Sequence, residues 1–221
     1  MTPHRRMTEG RRSIVTAAAG VCVLAGTVAL SAGIAGNWNV APPAKPVPAG
    51  TVPPTAQRPV SSPIPAGLPR SQPTAVDIPQ VGLHANLQAV TLSPDGEVPL
   101  PEDPVYAAWL ASSPTPGERG ASIVAGHVDT DHGPAAFYQL SAVHPGMAVA
   151  VKRRDGTTAH FTIDAVAVYP QNAFPAATVY APAPGPALRL ITCTGWDPDT
   201  RAYQDNVVVY ATTHPRPVPD A

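Results

Sequence analysis

The stretch "LRLITCTGWDP", Leu188 to Pro198, carries the only cysteine outside an N-terminal apolar segment. An apolar run delivers Cys193 to Thr194-Gly195, a turn signal, so the run reads as a buried strand that surfaces at the thiol. Working outward, similar short runs rich in valine recur on the N-terminal side and once more beyond it. They are "AVDIPQVGL" (75–83), "LQAVTL" (87–92), "ASIVAGHV" (121–128), "MAVAVKR" (147–153), "AHFTIDAVAVY" (159–169) and "NVVVYAT" (206–212). The punctuation between them is explicit: Asp95-Gly96, "SPTPGERG" (113–120), and "RRDGTT" (153–158), where Asp155-Gly156 signals a hairpin. No long amphipathic helix is visible. Val105–Leu110 and Pro134–Leu140 are each expected to form a helical turn or two. Short strands at regular spacing with no βαβ rhythm predict an all-β fold, a small closed or nearly closed barrel with one or two short helices.

The rest of the chain is organised around that domain. "MTPHRRMTEGRR" (1–12) is a basic tail, and residues 13–36 then run without a charge. About 20 apolar residues span a bilayer core, and the arginines hold their own end in the cytoplasm. The segment therefore reads as a single-pass signal-anchor with the body of the protein extracytoplasmic. A cleaved signal ending near Gly33-x-Ala35 is the open alternative, and Cys22 within it reads as apolar filler. Residues 37–73 hold many of the 30 prolines and few large apolar residues, which predicts an extended, semi-rigid spacer. A domain over 74–213 and a short tail, 214–221, complete the chain. With a net charge of -1 and 13% charged residues, composition gives no reason to expect a nucleic-acid partner.

A lone thiol outside the membrane cannot close an internal disulfide and is exposed to oxidation. A reactive role explains its presence; an inert buried cysteine is the alternative. A thiol nucleophile needs a base or cation nearby and a donor for the oxyanion it creates. Among the histidines, His127 stands out because "ASIVAGHVDTDHGP" repeats the design at Cys193: an apolar strand emerging through Gly126 into a polar loop. His127, Asp129, Asp131 and His132 also form a possible metal-ligand set, although ligands crowded in one loop are an uncommon zinc arrangement. No metal or cofactor is expected.

"AGHVD…GPAAFYQL", "FPAATVYAP" and "LRLITCTGWDPDTRAYQDNVVVYA" together resemble the sortases, most closely the class F sortases of actinobacteria. The resemblance covers residues 78–212 and extends to the anchor-and-spacer layout. It implies an eight-stranded barrel and a cysteine transpeptidase. Such an enzyme cleaves a surface protein's sorting signal of the Leu-Pro-x-Thr-Gly type between Thr and Gly and transfers the acyl group to a cell-wall amine or water. A monomer is expected. It further implies Cys193 as nucleophile, His127 as general acid/base, and an arginine for the oxyanion or substrate, with Arg201 favoured over Arg189. Thr192 and Thr194 flank the thiol as candidate oxyanion donors, and Asp129 is a candidate to orient His127. The sequence departs from the family at Cys193-Thr194-Gly195, where Cys-Gly-Gly is usual, and the loop that follows is slightly short. A wall L,D-transpeptidase would need a closely packed Ser-His-Gly-Cys, absent here. A non-catalytic barrel that only binds is the other rival.

Overall fold

The computed structural model describes residues 41–52, 66–94 and 96–213. The expected basic tail, the expected anchor and the C-terminal tail from His214 lie outside the described residues. Among those described, no helix is long and apolar enough to cross a membrane.

Eleven strands follow one another: β1 (Ala49–Gly50), β2 (Pro73–Ile78), β3 (Leu83–Val90), β4 (Tyr106–Leu110), β5 (Gly120–Ala125), β6 (Asp129–Thr130), β7 (Gly133–Pro134), β8 (Ala148–Arg153), β9 (Thr158–Pro170), β10 (Pro186–Asp197) and β11 (Ala202–Thr212). One α-helical turn, α1 (Ala176–Val179), and three short 3-10 helices punctuate them. Eight strands hydrogen-bond in the order β9-β11-β10-β5-β4-β3-β2-β8, and β8 pairs back onto β9, closing a barrel. The strands β3/β4 and β5/β10 run parallel, and the other barrel pairs are antiparallel.

Alternation along each strand sorts the side chains onto two faces. The inner face gathers Val76, Ile78, Trp109, Val124, Val149, Val151, Phe161, Ile163, Leu188, Leu190, Val207 and Val209 into one apolar cluster. The outer face of β4, β5, β9, β10 and β11 carries a second cluster. There Ile123, Ala125, Ile191, Val208 and Tyr210 pack beneath Val98, Phe174 and Val179 from two overlying loops. One sheet region is thus buried on both sides, which is why the runs at 187–193 and 206–212 read as nearly continuous apolar stretches.

Two expectations change. Val105–Leu110 was expected as a helical turn, yet Tyr106–Leu110 is strand β4, bonded to β3 and β5. Ala107 and Trp109 face inward while Ala108 and Leu110 face the outer cluster, so no period marked it as a strand. The proline-rich run is also more than a spacer, because parts of it dock on the barrel. Tyr138 Oη donates to the Ala41 carbonyl at 2.9 Å, Lys45 pairs with Asp205 at 2.7 Å, and β1 pairs with Ala165 and Val166 of β9. Further on, Leu68 N–H donates to Gly117 at 2.7 Å. Arg70 meets Glu118 at 3.2 Å and lies over the Trp109 ring, while buried Arg153 donates to the Pro69 carbonyl. Such docking uses carbonyls and charged side chains rather than large apolar ones. Proline's restricted unfolded state lowers the entropy lost on attachment.

Candidate active site

Cys193 sits on β10 where the strand rises out of the sheet, and its position follows from the register with β5. Ala125 pairs with Ile191, and both side chains line an outer-face cleft. The pairing is prolonged by Gly126 N–H donating to the Ile191 carbonyl at 3.1 Å and Thr192 Oγ1 donating to the Gly126 carbonyl at 2.7 Å. His127 follows two residues beyond Ala125 and Cys193 two residues beyond Ile191, so both stand at the same end of the β5–β10 pair. Gly126 is required there, since a Cβ would meet the Phe137 ring at 2.9 Å. The cleft beneath the thiol is lined by Val98, Leu100, Ala125, Phe174, Tyr180 and Ile191, with Asn206 beside Cys193.

Burial holds the His127 imidazole below its ordinary pKa, partly offset by its hydrogen bond to the Pro101 carbonyl and by the Asp129 charge. The neutral ring is therefore the prevailing form near pH 7. Asp129 is half-buried, and burial raises its pKa, while the Tyr203 hydrogen bond and the His127 charge pull the other way. Tyr203 Oη donates to Asp129 Oδ2 at 2.5 Å, and burial together with that bond pushes the phenol pKa up. The Asp129–Tyr203 bond joins the loop after β5 to the β10–β11 hairpin, fixing both walls around His127 and Cys193. On the thiol's other side, Gln171 Nε2 donates to Sγ at 3.8 Å.

The other residues singled out from sequence lie elsewhere. Arg201 is exposed in the four-residue turn 198–201 of the β10–β11 hairpin, at φ 52°, the only described non-glycine residue with positive φ. The short loop thus ends on a left-handed arginine, where glycine is the easier residue. Arg189 shares the outer face with Cys193 but is buried, its guanidinium 4.6 Å above the Tyr210 ring. Burial lowers its pKa, and its Nη1 donates to the Leu188 carbonyl at 3.2 Å. Thr192 borders the cleft beside Cys193, and both threonines are buried. The Thr192 hydroxyl is committed to Gly126, and Thr194 Oγ1 is sealed from the cleft. Gly195, not Thr194, takes the positive φ of 71°, so the Cys-Thr-Gly departure is accommodated. Asp131 and His132 meet at 3.4 Å on the surface while Asp129 turns inward to Tyr203. Among the described residues no three His, Cys, Asp or Glu side chains are grouped to hold a metal ion.

Sequence reasoning missed Asn206, Tyr203 and Gln171. Only the first had a legible signal: it opens the "NVVVYAT" strand as Cys193 closes "ALRLITC".

A closed eight-stranded barrel whose β5 and β10 run together to just before a histidine and a cysteine, the latter above an apolar cleft, is the architecture at hand. A sortase-domain profile matches residues 76–214, and the chain belongs to the sortase family. Its fold is similar to that of sortase A from Corynebacterium diphtheriae, at 18% identity and a TM-score of 0.51 over 68% of this chain and 64% of that one. It is similar also to sortase C-1 from Actinomyces oris, at 16% identity and a TM-score of 0.50 over 64% of this chain and 73% of that one. The chain thus spans 64% of the length of the Corynebacterium sortase. No curated protein matches the sequence.

Proposed function

We propose that the protein is a membrane-anchored sortase of the class F type, a cysteine transpeptidase acting on a Leu-Pro-x-Thr-Gly-like sorting signal outside the cell. The observation that supports this reading is the register of β5 on β10, which brings the two strands together just before His127 and Cys193, with Cys193 bordering the cleft. The cleft supplies apolar walls for the residues that precede the scissile bond, and at Tyr180 it adjoins a groove of about 560 Å³ over Leu110, Ile123 and Pro184.

In the chemistry, the Cys193 thiolate attacks the Thr carbonyl carbon and forms a C–S bond while the carbonyl π electrons move to oxygen. Collapse of that oxyanion restores the carbonyl and breaks the C–N bond, and the leaving glycine amine takes a proton from the His127 imidazolium. An amine or water then attacks the thioester, gives its proton back to His127, and releases the thiolate. The reactive pair is thiolate with imidazolium. Because burial disfavours the charged ring, only a small fraction of enzyme holds that form at neutral pH.

The test is mass spectrometry of the protein with a panel of Leu-Pro-x-Thr-Gly-like peptides. An acyl fragment ending at Thr should add to the wild-type mass and be absent from Cys193→Ala. Cleavage by Cys193→Ala, or an adduct on another residue, would refute the reading.

A further inference from the structure

The oxyanion formed in the acylation step needs a donor, and the arginine expected for it lies out of reach. Arg201 stands five residues before the residue opposite Cys193, roughly 16 Å along an extended strand at about 3.3 Å per residue, and its side chain is not part of the cleft wall. Arg189 is held against Tyr210, four residues back along β10. The Thr192 hydroxyl, although Thr192 borders the cleft, is committed to the Gly126 carbonyl, and Thr194 Oγ1 is sealed from solvent.

The position directly opposite Cys193 on β11 belongs to Asn206. Cross-strand partners place their side chains on one face with Cβ atoms about 4.5–5.5 Å apart, and both residues border the same cleft. His127 follows the end of β5 and Asn206 stands on β11, on opposite sides of β10, so a carbonyl carbon delivered to the sulfur comes within reach of Asn206. Asn206 is only 6% exposed. Within the described residues its carboxamide forms no hydrogen bond or ion pair. It is not sealed in like Thr194 Oγ1, so its remaining exposure is toward the cleft. Its neighbours Val207 and Val208 show how readily β11 takes an apolar residue.

We propose that Asn206 is a catalytic residue of this enzyme: its side-chain N–H donates to the carbonyl oxygen of the scissile peptide as that oxygen becomes an oxyanion. The inference rests on Cys193 being the nucleophile. A carboxamide supplies a directed, uncharged donor in a water-poor cleft, where such donors act most strongly on developing charge. Because the donation strengthens as the charge develops, its loss falls mainly on kcat.

The experiment measures cleavage of a fluorogenic Leu-Pro-x-Thr-Gly peptide by the full-length protein and its variants, alongside the iodoacetamide alkylation rate of Cys193 and the thermal unfolding transition. Asn206→Ala should lower kcat by about 10²–10³-fold, with alkylation within about twofold of wild type and cooperative unfolding retained. Asn206→Asp, nearly isosteric but an acceptor, should lose at least as much, whereas Asn206→Arg, which restores a donor, should recover part of the loss. Asn206→Ala within threefold of wild type overturns the proposal, as does a hundredfold loss in Arg201→Ala without one in Asn206→Ala. Loss of alkylation or of cooperative unfolding together with activity in both Asn206→Ala and Asn206→Asp assigns Asn206 to packing and also overturns it. Failure of the nucleophile reading is seen separately, as cleavage by Cys193→Ala.

Discussion

The two faces of β10 and β11 divide labour along the same backbone. On the inner face Leu188, Leu190, Val207, Val209 and Ala211 are fully buried and wholly apolar. On the outer face the same strands carry Ala187, Ile191, Val208 and Tyr210, but also Arg189, Cys193 and Asn206. The inner face has one task, excluding water, and any apolar shape that fills it serves. The outer face is roofed only by loops, and polar groups accumulate at the end where the roof opens. A strand whose one side is fixed by packing can hold reacting groups on its other side without moving, which is what a preorganised site requires.

Substitutions on either face sharpen that contrast. The largest effect is expected at the rim: His127→Ala should cut turnover by about 10²–10⁴-fold, the usual weight of a positioned acid/base, with little change in the unfolding midpoint. A bell-shaped pH profile should accompany the wild type. Asp129 raises the imidazole pKa from beside it, so Asp129→Asn should move the acidic limb to lower pH; a limb that stays or rises would remove Asp129 from that role. On the inner face the loss should invert. Leu190→Ala should cost about 2–5 kcal/mol of stability by leaving a cavity, read by denaturant unfolding, while the protein that remains folded keeps its Cys193 alkylation rate. A comparable loss of stability from His127→Ala would erase the distinction between the faces. The smallest effect belongs to the docked proline-rich segment: Lys45→Ala breaks a partly exposed ion pair and should change stability by no more than about 1 kcal/mol.

Much of this division was legible in the sequence. Cys193 and His127 both end apolar runs at a glycine-bearing turn, and that repeated pattern is the imprint of two neighbouring strands emerging at one rim. Asn206 was hidden because register is set by hairpin length, and the turn before it ends on a left-handed Arg201 where glycine would have announced it. The Asp129–Tyr203 bond joins residues 74 positions apart, a distance over which no local pattern reports. β4 was misread because a strand buried on both faces has no alternation to display. The docked proline-rich stretches escaped notice since they offer the barrel carbonyls and charges, not a hydrophobic period.

The Tyr138 hydrogen bond to Ala41 ties the start of the proline-rich stretch to the barrel. A wholly undocked run over 37–73 would extend roughly 115 Å at about 3.1 Å per residue. With Ala41 held at the barrel, and with Lys45 and β1 docked after it, residues 41–50 add no such reach. Tyr138, which holds Ala41, also contributes to the electrostatic environment of Tyr203 beside the thiol. Docking of the proline-rich stretch is thereby linked, through Tyr138 and Tyr203, to the surroundings of Asp129 and Cys193.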